Sequence, residues 1–501
     1  MRKIILFLLL GFMVLPVFAK RPLYKKHHIV NKVLTEILKE PALKTAGFAF
    51  LAIDGETGEV IARYHPDKAL RPASNQKLIS TATALELYGP DYRFETRLEY
   101  TGTIDTVQHV LLGNIIIKGG GDPTLGSKYF DETKDHHFLT NWVQAIKSLG
   151  VDSVAGRVIA DARFFSWDIV PVSWSWNNMG DYYGAGANGL TVFDNLYKIF
   201  FDTDSVPGDT VTIDSIVPQV PGLVFDNGIV SDTVRGDRSN ILGAPYCKVR
   251  YLRGRLPLAR KGFAVKGSLP DPAFTAAVAL TEKMRESGIQ CGGKPTTFRR
   301  LALSEHSLPE PSGTVLKVTL SPPLSEIIQK TNTHSINLFA EHLLDLVGLK
   351  LIGVAQTERD VKAVMDFWKA KGMDTQGMAL TDGSGLSQYN AITPRQLVFL
   401  LNYMKNKSPY FDVFYHSLPL AGTADSTAGT LEGMFIHTPA ENNLRAKSGT
   451  IDRVKAYSGY VTSLSGRKIV FSMMVNNFSG TSKQARTQLE KLMVALAELK
   501  K

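Results

Sequence analysis

The feature that most constrains this chain is a change of texture along its length. Both ends alternate apolar strands with amphipathic helices, whereas from Phe94 to about Phe298 the chain consists of β-branched runs punctuated by Gly, Asp and Pro. Near the N-terminus, 29–39 shows helical periodicity, 47–53 and 60–64 read as a hairpin, and 74–88 reads as a helix stopped by Gly89-Pro90. Helical periodicity resumes over 324–346 and 358–371. Strands follow at 443–446, 456–462 and 469–476, the last two joined by Ser465-Gly466, and a helix closes the chain at 482–499. Strands at both ends with helices between them predict one α/β domain split by a long insertion, not three domains in a row. The expected division is 20–92 for the first part of the split domain, 93–308 for the β-rich insertion with helices near 138–149 and 274–287, and 309–501 for the second part. Leu308-Pro-Glu-Pro-Ser-Gly313 serves as the linker.

Residues 1–19 do not belong to this fold. Arg2-Lys3, the apolar run Ile4 to Leu15, and Val17-Phe18-Ala19 after Pro16 form the basic, hydrophobic and small-residue regions of a secretory signal peptide. The run is shorter than the roughly twenty residues a bilayer span needs, so cleavage after Ala19 is expected rather than anchoring. With no Cys beside that site and no later uncharged apolar stretch, the mature chain should touch membranes peripherally at most.

Export changes how composition reads. The chain carries 57 Lys and Arg against 47 Asp and Glu, a net charge of +10, which falls to +8 when Arg2 and Lys3 leave. Such an excess suits any polyanion; in an exported protein with scattered lysines it points to an anionic envelope and away from nucleic acid. Hydrophobic residues at 44% exclude a disordered chain, and two cysteines exclude a disulfide scaffold. In an oxidising compartment Cys247 and Cys291 are expected to bridge.

Three short motifs carry chemistry. Ser74-Asn75-Gln76-Lys77 places a hydroxyl and an amine three apart on a helix, so the Lys can act as base for the Ser, and the helix N-terminus favours developing negative charge. The pattern alone is common: Ser465-Gly-Arg-Lys468 repeats it in a turn. Ser335-Ile336-Asn337 offers a proton-relaying hydroxyl and an amide, and Ser175-Trp176-Asn177 matches it inside the insertion. Lys447-Ser448-Gly449-Thr450 at a strand end offers a fixed cation, two hydroxyls, and a glycine that admits a substrate beside the strand.

In combination and chain order these motifs resemble the S-x-x-K, S-x-N and K-[ST]-G set of penicillin-binding proteins and serine β-lactamases. The segments Arg71–Lys77, Gly119-Gly-Gly-Asp-Pro-Thr-Leu125, Ser321-Pro-Pro-Leu-Ser-Glu-Ile327, Ser335–Glu341, Asp382-Gly-Ser-Gly-Leu-Ser387 and Arg445–Thr450 resemble the S13 peptidase family of D-alanyl-D-alanine carboxypeptidases and endopeptidases. That family inserts two nested domains between its first and second motifs, which matches the long gap here. Ile336 and Ser448 stand where Asp and Thr are frequent. Both substitutions keep the polar positions that matter.

The resemblance implies a penicillin-binding-protein-like α/β catalytic domain, an antiparallel sheet flanked by helices. It implies catalytic Ser74, Lys77, Ser335 and Asn337, with Lys447, Ser448, Gly449 and Thr450 binding substrate. Ser74 attacks a peptidoglycan stem peptide, Lys77 takes its proton, and the Ser74 and Thr450 N–H groups form the oxyanion hole. Ser335 passes a proton to the leaving amine, and Lys447 with Ser448 and Thr450 holds the terminal carboxylate. No metal or organic cofactor is implied, and β-lactams should acylate Ser74. The rival readings are a β-lactamase or esterase on the same scaffold and a silent peptidoglycan-binding protein. Among lesser features, Asp382–Gly385 reads as a turn supporting the site, His334 and His342 as structural, and Gly119–Asp122 as a junction turn. Trp174, Trp176, Tyr182 and Tyr183 read as a peptide-binding strip or as packing.

Overall fold

The computed structural model describes residues 28–304, 313–422 and 427–500. The expected signal peptide lies outside these residues, as does all of the expected linker except Gly313.

Helix α1 (His28–Ile37) precedes a hairpin of β1 (Gly47–Asp54) and β2 (Val60–Tyr64), followed by α2 (Lys77–Tyr88). Three more strands of the same sheet come from the other end of the chain: β6 (Arg445–Ile451), β7 (Val454–Thr462) and β8 (Lys468–Asn476). The strand order is β6-β7-β8-β1-β2, antiparallel throughout, with Ala52 opposite Phe471 and Ser448 opposite Tyr457. Period-two alternation divides the central strand between two cores. Phe48, Phe50, Phe471 and Met473 pack against Val30 and Leu34 of α1 and against Leu489 and Leu492 of the C-terminal helix Ser482–Ala497. Ala49, Leu51, Val470 and Met474 pack on the opposite face against Leu78 and Leu85 of α2 and Leu343 and Val347 of a later helix. Helices thus cover both faces of the sheet. The turn at 463–467 between β7 and β8 contains Ser465, so the second S-x-x-K is part of a hairpin.

The middle of the chain builds separate sheets. A three-stranded one has β3 (Leu196–Asp202) at its centre, flanked by β4 (Thr212–Val217) and β5 (Phe263–Ser268). In another, Val249–Pro257 is central and pairs in parallel with Val224–Asp232. Strand Thr314–Leu320 pairs with Glu95–Tyr100. Helices His137–Lys147 and Pro272–Glu286 fall where periodicity placed them; the second is capped by the Asp271 carboxylate, which accepts from the Phe274 N–H.

Four local expectations are corrected. The helix expected over 324–346 is two helices, α3 (Leu324–His334) and α4 (Asn337–Ile352), broken at Ser335, whose φ of 59° is left-handed. Ser74 sits in a 3₁₀ turn, Ala73–Gln76, and the α-helix starts only at Lys77. Lys447–Thr450 lies within β6 rather than at a strand end. Cys247 and Cys291 are both free thiols, Cys247 exposed and Cys291 half-buried. Cys247 sits in a turn before Val249, while Cys291 pairs with Val154 in a short strand. The expected bridge therefore does not form.

Candidate active site

The three motifs converge on one cleft of about 550 Å³, whose walls include Ser74, Ser335, Asn337 and Thr450. Each arrives by a different backbone device. Ala73, with φ 47°, and Ser335, with φ 59°, hold left-handed conformations that side-chain-bearing residues rarely adopt; Ala73 precedes the Ser74 hydroxyl and Ser335 bears the other. Gly449 lets β6 lie against the Ser74 turn: a Cβ there would meet the Pro72 carbonyl oxygen at 2.5 Å and the Ser74 nitrogen at 3.2 Å.

Lys77 is fully buried and donates three hydrogen bonds: to Ser74 Oγ at 3.0 Å, Asn337 Oδ1 at 2.6 Å and the Ser384 carbonyl at 2.8 Å. Burial lowers its pKa to about 7, although the Asp382 and Glu341 carboxyls pull the other way. A lysine balanced near neutrality, 3 Å from a hydroxyl, can take that hydroxyl's proton. Lys447 is also fully buried and donates to Ser335 Oγ at 2.9 Å and the Ser448 carbonyl at 3.0 Å. Burial, and then repulsion from Lys77, hold its pKa well below the usual lysine range. Each lysine therefore holds one serine hydroxyl. Lys455 donates to Thr450 Oγ1 at 2.7 Å.

The turn Asp382–Gly385 supports the site from beneath. The Asp382 carboxylate accepts from the N–H groups of Gly385 and Ser387, from Asn390 Nδ2 and from Trp174 Nε1, and Gln76 donates to both its carbonyl and its carboxylate. Glu341 clamps the opposite side: its two oxygens accept from the Gly383 and Ser384 N–H groups, each at 2.8 Å. Burial, and then Asp382, raise the Glu341 pKa to about 8. Glu341 carried no role in the sequence reading, yet its position four residues after Asn337 on α4 puts the two on one helix face, which was the available signal.

The middle segment also reaches the site. The Tyr183 carbonyl accepts from Asn337 Nδ2 at 2.7 Å, which turns the amide oxygen toward Lys77. Trp174 is buried and bonded to Asp382, so it packs, whereas Tyr182 is exposed on the cleft wall and Trp176 is exposed near Tyr251. Asn177, in the second S-x-N, also lines the cleft. His342 is buried between Thr191 Oγ1 and the Leu338 carbonyl, and burial drives its pKa down to about 4, which suits a structural group. His334 stacks on Tyr129 at the cleft. Among the described residues no group of three or more His, Cys, Asp or Glu side chains is placed to hold a metal.

Comparison with known proteins identifies the family. The profile of the D-Ala-D-Ala carboxypeptidase 3 (S13) family matches residues 30–499. A D-alanyl-D-alanine carboxypeptidase of Actinomadura sp. (strain R39) is 30% identical over 471 residues, covering 89% of this chain and 80% of the relative. D-alanyl-D-alanine carboxypeptidase DacB of Haemophilus influenzae is 25% identical over 449 residues, covering 88% and 87%. The crystal structure of penicillin binding protein 4 from Haemophilus influenzae shares the fold, with a TM-score of 0.76 at 22% identity over 92% of this chain and 97% of that one. The split α/β architecture expected from the sequence is thus the fold of known penicillin-binding proteins. The chain belongs to the D-Ala-D-Ala carboxypeptidase 3 (S13) family and is, by that membership, a serine-type D-Ala-D-Ala carboxypeptidase.

Proposed function

We propose that this carboxypeptidase acts on peptidoglycan stem peptides, removing the terminal D-alanine and also cutting cross-links whose scissile bond follows a D-alanine. Ser74 Oγ attacks the carbonyl carbon and its proton passes to Lys77. The tetrahedral oxyanion is held by the Ser74 and Thr450 N–H groups, where one such donor is typically worth about a hundredfold or more in rate. As the C–N bond breaks, Ser335 delivers a proton to the leaving amine. Water then releases the acyl group from Ser74. Asn337 holds the acyl side, and Lys447, Ser448 and Thr450 receive the terminal carboxylate beside Gly449. The observation that carries this reading is the buried Lys77 amine, held 3.0 Å from Ser74 Oγ with its pKa lowered to about 7.

The same reading takes residues 20–92 and 309–501 as the catalytic domain and 93–308 as inserted. It takes the chain as exported to the periplasm by a leader cleaved after Ala19. Among the described residues no helix is long and apolar enough to cross a membrane. A β-lactam should acylate Ser74 and leave slowly. Fluorescent penicillin should label the purified protein but not Ser74→Ala, and labelling that survives this change would sink the assignment. Mass spectrometry of muropeptides after digestion should show D-alanine loss and cross-link cleavage; intact products would refute the proposed substrate.

A further inference from the structure

The outer face of β3 leads out of the catalytic cleft. Leu196 at its start lines the cleft, and Lys198 is the next residue on that face, roughly 7 Å farther along the strand. The register sets Lys198 directly opposite Lys266 of β5 and opposite Val217 of β4, so one row across this sheet reads Val217, Lys198, Lys266. Directly opposed side chains have Cβ atoms about 5 Å apart, and like charges in that arrangement repel. Neither ammonium group makes an ion pair among the described residues. Lys128 reaches the same place from another loop. Loss of hydration holds its pKa below the ordinary range, and Lys266 and Lys198 lower it further, with Asp194 opposing. All three lysines are exposed.

The patch borders the reacting groups. Lys266 lies over the Tyr182 ring at 5.8 Å and Lys128 over the Tyr129 ring at 4.8 Å, and both rings line the cleft. Asp181 bridges to Gly267, the residue after Lys266, and two residues later the Tyr183 carbonyl holds Asn337. The acid at this end of the cleft, Asp194, is buried and already accepts from Ser127 Oγ and the Lys128 N–H. The surface therefore offers two lysines, Lys198 and Lys266, with no acid paired to either among the described residues, and two tyrosine faces beside them. Opposing two lysines across a sheet is unfavourable in the empty protein and becomes favourable when an anion sits between them.

We propose that Lys198, Lys266 and Lys128, with Tyr182 and Tyr129, form a subsite for carboxylate groups carried by the stem peptide beyond the residues at Ser74. The inference rests on the peptidoglycan reading above and adds to it a determinant of substrate choice outside the three motifs. The cleft ends its recognition of the terminal carboxylate at Lys447. A longer substrate must leave the cleft along one of its walls, and the β3 wall carries two lysines without an ion-pair partner among the described residues.

The test uses the full chain and the double variant Lys198→Gln/Lys266→Gln, which leaves every group near Ser74 in place. Two substrates ending in D-Ala-D-Ala are compared, an N-acylated peptide whose sole carboxylate is the terminal one and a stem pentapeptide with a further free carboxylate upstream. The variant should raise KM for the pentapeptide about three- to tenfold with kcat unchanged, and should leave the short peptide and penicillin acylation within about twofold. Wild-type KM for the pentapeptide alone should climb as salt rises from about 50 to 500 mM. Lys198→Glu, which reverses the charge, should raise it further. Equal effects on both substrates, or none on either, would overturn the subsite while leaving the carboxypeptidase reading intact. Wild-type protein that cleaves neither peptide would remove both. A variant that loses affinity for an anionic glycan or nucleic acid but not for the pentapeptide would assign the patch to another polyanion and overturn this one.

Discussion

The packing of Gly449 against the Ser74 turn sets a quantitative test of how tightly the nucleophile is placed. In Gly449→Ala the new methyl would stand 2.5 Å from the Pro72 carbonyl oxygen and 3.2 Å from Ala73 Cβ and the Ser74 nitrogen. Ordinary contact begins near 3.4 Å, so β6 and the turn must separate by about 0.9 Å. Both sides of that gap carry groups of the proposed site: the turn holds Ser74, and the strand holds Lys447, Ser448 and Thr450. A displacement near 1 Å in such a constellation costs about a hundredfold in rate, or about 2.7 kcal/mol of transition-state stabilisation. Overpacking should also remove about 1–3 kcal/mol of stability. The assay is single-turnover acylation by a fluorescent penicillin, with active sites counted from end-point labelling so that misfolded protein does not enter the rate. Gly466→Ala is the control. Gly466 lies in the β7–β8 turn with φ 83° and nothing within 4 Å of a would-be Cβ, so this variant should lose stability through strain and acylate normally. A Gly449→Ala protein acylating within twofold of wild type would refute the argument that this contact sets the nucleophile's position.

Three other outcomes follow from the site. Because Lys77 must be neutral to accept a proton and its pKa lies at about 7, acylation should rise with pH through a midpoint near 7 and level off above it; a rate independent of pH from 5 to 9 would remove Lys77 as base. Glu341→Gln leaves one of two buried backbone N–H groups facing an amide NH₂, at a cost of about 1–3 kcal/mol. Its acylation should slow about tenfold with the midpoint near 7 unmoved, because a carboxyl whose pKa is raised to about 8 is already mostly protonated along the acid limb; a limb that shifts would contradict this. Thiol titration should find two free cysteines, Cys247 reacting in the folded protein and Cys291 more slowly, and dithiothreitol should leave Tm unchanged; a mass lower by two hydrogen atoms would contradict this.

The sequence exposed what is local and concealed what depends on distant chain. All eight motif residues could be named because each motif is a short string, and the sheet built from both ends followed from alternation at 47–53 and 469–476. The break at Ser335 could not be read: apolar periodicity runs through it, and nothing in a serine announces a left-handed φ. The position of Ser74 one turn ahead of the α-helix was hidden for a similar reason, since the strain sits at Ala73. The disulfide expectation came from compartment alone. Forty-odd residues of intervening chain carry no information about whether two sulfurs meet, and here one lies in a turn and the other in a short strand pair. The aromatic strip was half legible: Tyr182 and Tyr183 line the cleft, whereas Trp174 went inward to Asp382 and Trp176 lies exposed near Tyr251.

Those contacts also bear on why the middle segment cannot be treated as an appendage. Three hydrogen bonds tie it to Asn337 and to two buried groups that support the site: Tyr183 carbonyl to Asn337 Nδ2 at 2.7 Å, Trp174 Nε1 to Asp382 at 2.9 Å, and Thr191 Oγ1 to His342 Nε2 at 2.8 Å. Asp382 and His342 are buried, so deleting the segment and closing the chain would strip partners from groups whose orphaning costs roughly 1–3 kcal/mol each. The more telling loss is at Asn337. Its amide is oriented by having the donor end engaged at Tyr183; without that carbonyl the amide can rotate and present Nδ2 to Lys77, opposing a donor with a donor. Lys77, the proposed base for Ser74, would then lose one of its three acceptors to a change made more than a hundred residues away in sequence.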